Sequence, residues 1–308
     1  MTLTGRAKKV DADAIIAQRL KRLTSTAAKL RRFPRLTLSE IQDIGGCRSV
    51  VSTSKRVREL VKLYEDARGK SPHRGPELLW VKDYIKEPKR SGYRSYHLVY
   101  QYRTDSPELQ VFNGHRIEIQ LRSAPQHAWA TAVETVDAFT HQSLKSNLGT
   151  APWKRFFALM GSVVALRERE APVPGTLVEK HALREELRAV EQQIGAKSIL
   201  EHLQVVTFFT RDQTHAVAFL LKLDTVEGRL EATPYTHATL ARATDDYLAM
   251  EKEISGNPAI QAVLVSVDKL ENLRKAYPNY YVDLDLFLRM LGEPLGLTRV
   301  ARSPASGG

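Results

Sequence analysis

Residues Arg116-Ile117-Glu118-Ile119-Gln120-Leu121-Arg122 alternate between polar and apolar at every step. Successive side chains of a strand point to opposite faces, so this period of two sets Glu118, Gln120 and Arg122 on one face and Ile117, Ile119 and Leu121 on the other. Such a strand has an apolar face to bury against a second layer. Its other face carries a carboxylate, an amide and a guanidinium, which is also what an ordinary solvent-facing strand shows.

Neighbouring segments fit a sheet built around it. Cys47–Ser52, Leu79–Ile85 and Tyr96–Tyr102 read as further strands, the last joined to Arg116–Arg122 through the turn Thr104–Gly114. Helices are expected at Lys55–Ala67, at His127–Leu144 and at Ala12–Leu30, where Ile15, Ile16, Leu20, Leu23, Ala27 and Leu30 recur near one helical turn. Phe33-Pro34 ends the first of these, and Ser71–Pro76 reads as a loop. The clearest interruption is Ala171-Pro172-Val173-Pro174-Gly175. Beyond it, Leu177–Leu203 reads as helix, Val205–Thr210 with Ala216–Leu223 as a hairpin-like pair, and Ala238–Ile254 as helix. The strand Ala262–Val267 and helices at Leu270–Ala276 and Leu284–Leu291 complete the pattern. These elements predict an α/β catalytic domain over residues 1–170, a helical linker over 171–203 and a smaller α/β module over 204–308.

Composition narrows the function classes. The single cysteine, Cys47, excludes an internal disulfide and a cysteine-rich zinc site. Apolar runs such as Ala216–Leu221 are too short to span a bilayer, and Met1–Val10 has no apolar stretch behind its basic residues, so a cytoplasmic location without membrane contact is expected. A net charge of +11 favours polyanionic partners, namely nucleotides, RNA or an anionic membrane surface. The surplus is heavy in Arg19–Arg35 and in Lys82–Arg103, although a charge run is also what a solvated face looks like.

Four clusters carry chemistry. In Asp43-Ile44-Gly45-Gly46-Cys47-Arg48 a carboxylate able to hold Mg²⁺ precedes a Gly-Gly pair that permits close approach of a ligand. In Lys82–His97, basic residues surround Tyr93 and His97, a combination suited to a polyphosphate with a stacked base, and equally to a solvated basic hairpin. The alternating strand with Glu118 is the third. Arg19-Leu20-Lys21-Arg22 with Lys29-Leu30-Arg31-Arg32 is the fourth, and a nonspecific RNA-binding helix would look the same.

In this order and spacing, Asp-Ile-Gly-Gly-Cys-Arg, Pro-Lys-x-x-Gly-Tyr-x-Ser-x-His and Glu-Ile-Gln-Leu-Arg resemble the synthetase domain of the RelA/SpoT family over Arg19–Glu134. The resemblance implies a nucleotidyltransferase-like mixed sheet flanked by helices, and transfer of pyrophosphate from ATP to a ribose 3′-hydroxyl. It implies Mg²⁺ held by Asp43 and Glu118, with Glu118 taking the proton of the attacking hydroxyl and Gln120 beside it. Arg19 and Arg48 would sandwich the adenine, and Lys21, Lys82 and Lys89 would face the phosphates. Tyr93 would stack on the acceptor base, with His97 and Arg122 near the acceptor. Ser91 stands where the family often has Asn, which leaves the acceptor contacts open, and the absence of any His-Asp dipeptide implies a member without the family's hydrolase domain.

The later part of the chain bears on the acceptor. Ala276-Tyr277-Pro278-Asn279-Tyr280-Tyr281-Val282-Asp283 resembles the Tyr-x-x-Tyr-bearing antitoxin-like module of fused toxin–antitoxin Rel proteins, the CapRel type. That resemblance implies that Tyr277 and Tyr280 cover the ATP site until a phage protein relieves the block, and that the acceptor is the tRNA CCA end. Tyr-Pro-Asn-Tyr is also a plain turn. Three functions stay open on the sequence: an autoinhibited tRNA pyrophosphokinase, an alarmone synthetase using GDP or GTP, and a silent RNA- or nucleotide-binding relic.

Overall fold

A computed structural model describes residues 2–20, 23–41, 44–68, 76–140, 149–209, 215–224, 229–255, 257, 260–266 and 280–296. The chain divides into two compact units, one of residues 1–127 with 165–174, the other of residues 128–164 with 175–308.

The first unit is built on a mixed five-stranded sheet. Its strands are β1 (Ile15–Leu20), β2 (Gly45–Val51), β3 (Glu77–Asp83), β4 (Tyr96–Gln101) and β5 (Arg116–Ser123), in the order β1-β2-β5-β4-β3. β2 and β5 run parallel, and the other neighbours are antiparallel. Two helices, α1 (Leu3–Val10) and α3 (Ser54–Arg68), cover one face. Ala7 and Val10 from α1 and Val57, Leu60, Val61 and Tyr64 from α3 form one core with Val51, Leu98 and Leu121, against which Ile16, Tyr96, Tyr100 and Ile119 also pack. The period of two in β5 is therefore resolved as read: Ile119 and Leu121 face the helices.

Residues Ala12–Leu30 do not form one helix. The chain makes α1, then the edge strand β1, then α2 (Leu23–Arg32). Thr2 caps α1 by accepting from the Gly5 amide at 3.2 Å. At its other end Asp11 accepts from the Ser52 amide at 2.7 Å, which joins the end of α1 to the end of β2 and holds the Asp11 carboxyl below its ordinary value. The β-branched pair Ile15-Ile16 then pairs with Val50 and Ser49 of β2. A short apolar run fits either period, and here the open edge of β2 decides it.

Helix α4 (Ala124–Thr140) starts at a capping box: the Ser123 amide donates to Gln126 Oε1 and the Gln126 amide to Ser123 Oγ, each at 3.3 Å. Within the second unit, α4 and α5 (Ala151–Glu168) meet through aromatic packing. Trp129 Nε1 donates to the Phe157 carbonyl at 2.9 Å, and Trp153 stacks on Phe157 at 5.9 Å. Phe287 of α9 (Tyr280–Leu295) reaches Phe156 and Phe157 at 6.3 and 6.0 Å.

Leu177–Leu203 is not one helix either. It is split into α6 (Lys180–Ile194) and α7 (Ala196–Phe209) by Gly195, whose φ of 61° lies where glycine is favoured. Val205–Phe209 continues α7 and is not a strand; the hairpin is formed by β6 (Ala218–Asp224) and β7 (Arg229–Tyr235). With β8 (Ile260–Ser266) these make a three-stranded antiparallel sheet in the order β7-β6-β8, packed through Ala218, Leu220 and Tyr235 on Ala243, Tyr247 and Met250 of α8 (Leu240–Glu253). The β-propensity of Val205–Phe209 is overridden because it continues an amphipathic helix already begun, with Leu200 and Leu203 buried. The expected helix at Leu270–Ala276 lies outside the described residues. Among the described residues no helix is long and apolar enough to cross a membrane.

Candidate active site

Register brings the polar residues of four strands onto the face opposite the helices. Glu118 of β5 lies across from Gly46 of β2 and Val99 of β4, and Gln120 lies across from Arg48 and His97. His97 in turn lies across from Lys82 of β3, and the backbone of Arg19 pairs with Gly46. Directly opposed residues share a face. Two neutral sites on this face, Val99 and Gly46, flank the carboxylate, so no other acid stands directly across from it.

The side chains close a hydrogen-bonded ring. His97 Nδ1 lies 2.7 Å from Glu118 Oε1, and His97 Nε2 lies 2.7 Å from the Tyr93 hydroxyl. Arg122 Nη2 donates to that hydroxyl at 2.8 Å and to Gln120 Oε1 at 3.0 Å, and Gln120 Nε2 donates to Glu118 Oε2 at 2.8 Å. A guanidinium can only donate and a carboxylate can only accept, which fixes every bond of the ring but that between Tyr93 and His97, whose direction follows for a neutral imidazole. Tyr93 accepts from Arg122 and donates its own proton to His97 Nε2. That leaves the His97 proton on Nδ1, donated to Glu118. The assignment requires a neutral imidazole, and burial does push the His97 pKa below its ordinary value, with hydrogen bonding to Glu118 opposing the shift only in part.

The ring is largely sheltered. Arg122 and His97 are 4% and 9% exposed, and Arg48 at 8% is buried beside them on the same face. The β3–β4 connection adds an aromatic wall. Tyr84 meets His97 edge-on at 5.2 Å and Tyr93 at 5.8 Å. The Lys89 ammonium sits 4.6 Å from the Tyr84 ring and 5.1 Å from the Tyr93 ring, and the Arg122 guanidinium is also 5.1 Å from Tyr93. Desolvation, with repulsion from Lys82, pulls the Lys89 pKa down.

Gln120, Arg48, Lys82, Lys89, Tyr93, His97 and Arg122 thus gather around Glu118. Asp43 and Lys21 lie outside the described residues, as does Tyr277, and the side chains of Arg19 and Tyr280 are likewise outside them. Sequence reasoning passed over Tyr84 and Arg94. Tyr84 follows Asp83, which caps the turn by accepting from the Ile85 and Lys86 amides at 2.9 Å. Arg94 sits inside the Gly-Tyr-x-Ser-x-His motif, and only its burial at 2% exposure distinguishes it from a surface arginine.

Glycines 45 and 46 do different work. A Cβ on Gly45 would meet Ile117 Cδ1 at 2.9 Å, so its smallness serves core packing. A Cβ on Gly46 would lie 3.5 Å from the Glu118 carbonyl, an ordinary contact, so its smallness keeps the polar face open beside the carboxylate.

Residues 18–140 match the family described as "Region found in RelA / SpoT proteins". Among curated proteins, GTP pyrophosphokinase YjbM of Bacillus subtilis (strain 168) is 34% identical over 123 residues, covering 38% of this chain and 52% of its own. GTP pyrophosphokinase YwaC of the same organism is 32% identical over 121 residues, 37% of this chain and 52% of its own. The chain spans about half the length of these curated relatives. Among solved structures, small alarmone synthetase 1 from Bacillus subtilis aligns with 50% of this chain and 75% of its own at 23% identity and a TM-score of 0.40.

Proposed function

From the match of residues 18–140 to a region found in RelA/SpoT proteins, we propose that this protein is a pyrophosphokinase that moves the β,γ-diphosphate of ATP onto the ribose 3′-hydroxyl of GDP or GTP. The ring that fixes Glu118 carries this reading. In the reaction the acceptor oxygen bonds to the β-phosphorus, the bond from that phosphorus to the α,β-bridging oxygen breaks, and AMP leaves. The hydroxyl proton goes to Glu118. His97 and Gln120 each hold one carboxylate oxygen, which fixes the plane of the base, and a positioned base contributes about 10²–10⁴-fold. Lys82 and Lys89 supply fixed positive charge for the phosphates, and Arg48 on the same side is the partner for the adenine. Two B. subtilis proteins named GTP pyrophosphokinases among the relatives support guanosine acceptors.

Magnesium fits this donor set. Mg²⁺ typically takes one or two carboxylates and completes its shell with water and phosphate oxygens. Glu118 offers a hard oxygen donor, Asp43 is the expected second, and among the described residues no cluster of three acidic, His or Cys ligands competes for a metal. When bound, the ion supplies charge neutralisation on the phosphate oxygens.

A second reading, transfer to the tRNA CCA end under control of the second unit, rests on the charge. Lys8, Lys9, Arg31, Arg32, Arg35, Lys55 and Arg56 are exposed in the first unit, where a long polyanion gains more than a nucleotide does. In that reading residues 204–308 form a regulatory module of CapRel type, Tyr277 and Tyr280 restrain the ATP site and a phage protein releases it. Incubation with β-labelled ATP and GDP, GTP or bulk tRNA decides between them. Label in the guanosine nucleotides is expected; label in tRNA alone overturns the first reading for the second, and label in none, with Glu118→Gln behaving as wild type, overturns both.

A further inference from the structure

Arg94 lies next to Tyr93 in the ring-bearing loop, yet it does not join the ring. Its guanidinium is 2% exposed and runs the other way. Nη1 donates to the Ile85 carbonyl at 3.0 Å, across the same loop, and Nη2 donates to the Ala171 carbonyl. Burial pulls the Arg94 pKa down to about 10, with the charges of Glu168 and Glu170 opposing the shift. Hiding a guanidinium forfeits its hydration unless its donors are met. A leucine there would fill space more cheaply, so the position calls for what only Arg can do, a fixed fork of donors.

Residues 165–174 form the other side of that fork. They belong to the first compact unit although 151 to 164 of the same helix belong to the second. The segment is held at each step. Glu168 accepts from the Ser54 amide at the start of α3 at 3.0 Å and from Gln126 Nε2 at 2.9 Å. Arg169 turns the chain with a φ of 57°. Glu170, 7% exposed at its side chain, pairs with Arg58 of α3, and Val173 is 1% exposed. Ala171 then presents its carbonyl to Arg94. Residues 165–174 are thus tied to α3 and to the start of α4, while their last tie is to the loop of Lys89 and Tyr93.

We propose that Arg94 is a positioning residue through which the returning segment 165–174 fixes the loop of Lys89 and Tyr93, and so sets the acceptor side of the site. The inference rests on the pyrophosphokinase reading for its consequence, but the clamp itself does not. Arg94 donates to the Ile85 and Ala171 carbonyls, and the loop that it holds carries Tyr93 for the acceptor base and Lys89 for the phosphates, so its loss is expected to disturb the acceptor more than ATP.

Two variants of the full chain test this, Arg94→Met and Arg58→Gln. The second loosens the segment from an exposed position on α3 and serves if the first does not fold, as judged by circular dichroism. Amide hydrogen exchange is read first. Both variants are expected to lose protection at residues 84–95 by about tenfold or more while β5 keeps its own. Unchanged exchange in that loop overturns the clamp, whatever the enzyme does. Steady-state kinetics with GDP are read second. The acceptor KM is expected to rise about tenfold in Arg94→Met, with a smaller rise in the ATP KM because Lys89 sits on the same loop, and Arg94→Lys is expected to recover part of it. Equal changes in both KM values, or none, overturn the positioning role. If wild type transfers to no acceptor, the pyrophosphokinase reading fails and the exchange result alone stands for or against the clamp.

Discussion

At the scale of single residues the site is a statement about hydrogen-bond direction. Glu118→Gln replaces an acceptor with a group that must also donate, facing Gln120 Nε2 and His97 Nδ1, which are both donors already. It is expected to slow transfer by about 10³-fold with the fold unchanged, measured as label transfer from ATP alongside far-UV circular dichroism. Gly46→Ala separates site from scaffold. Its methyl meets only an ordinary contact, and alanine costs the unfolded chain entropy, so stability should hold or rise by about 0.5 kcal/mol. Activity should nevertheless fall, because the methyl stands beside Glu118; unchanged turnover would count against an open floor there. His97 gives a pH test. Its folded pKa lies below its ordinary value, so its contribution to stability is complete above about pH 6.5 and is lost as pH falls through the lower folded value. The urea midpoint of wild type should drop from pH 7.5 to 5 by more than that of His97→Gln, and parallel drops would place the titration elsewhere.

At the scale of elements, α3 is the cover that lets one face of the sheet stay polar. Leu60 is fully buried between α3 and the sheet, and Leu60→Ala should lower stability by about 2–5 kcal/mol, read from urea unfolding. A loss below about 1 kcal/mol would mean that the helix is not what closes the core. The same helix carries Ser54 and Arg58, which hold residues 165–174. Packing and site geometry therefore share one element, and variants of α3 are best judged by both readouts. The β4–β5 connection differs. Leu109, Val111 and Phe112 there are 44%, 74% and 51% exposed, away from the ring, and carry no part of the proposed chemistry.

At the scale of the molecule, the surplus of +11 is the property that separates the two acceptors. A tRNA acceptor held by many phosphate contacts should show a KM that rises about tenfold or more between about 50 and about 200 mM salt. A guanosine diphosphate bound at the ring and its adjacent cations should change far less. Measuring both salt dependences under one protocol tests whether the exposed cations of α1, α2 and α3 serve the reaction or only the solvent shell.

The strand pattern was legible because a period of two leaves β5 no other way to bury Ile119 and Leu121, and the polar face of Glu118, Gln120 and Arg122 followed from it. Motif spacing likewise gathered Lys82, Lys89, Tyr93 and His97 in advance, since all four lie on β3, β4 and the one connection between them. Local pattern failed where two periods compete. Ile15–Leu20 became a strand because β2 offered an unpaired edge, and Val205–Phe209 stayed helical because α7 had already begun. The closed ring was beyond any reading along the chain, as it needs Arg122 to reach Tyr93 across a strand and His97 to be neutral. So was Arg94, whose partner Ala171 lies 77 residues away. The sequence by itself determined the faces of the strands and the set of groups brought to the polar one. Tertiary structure decided which way each proton points and which segment holds the loop, because hydrogen-bond direction and burial are properties of contacts between distant residues.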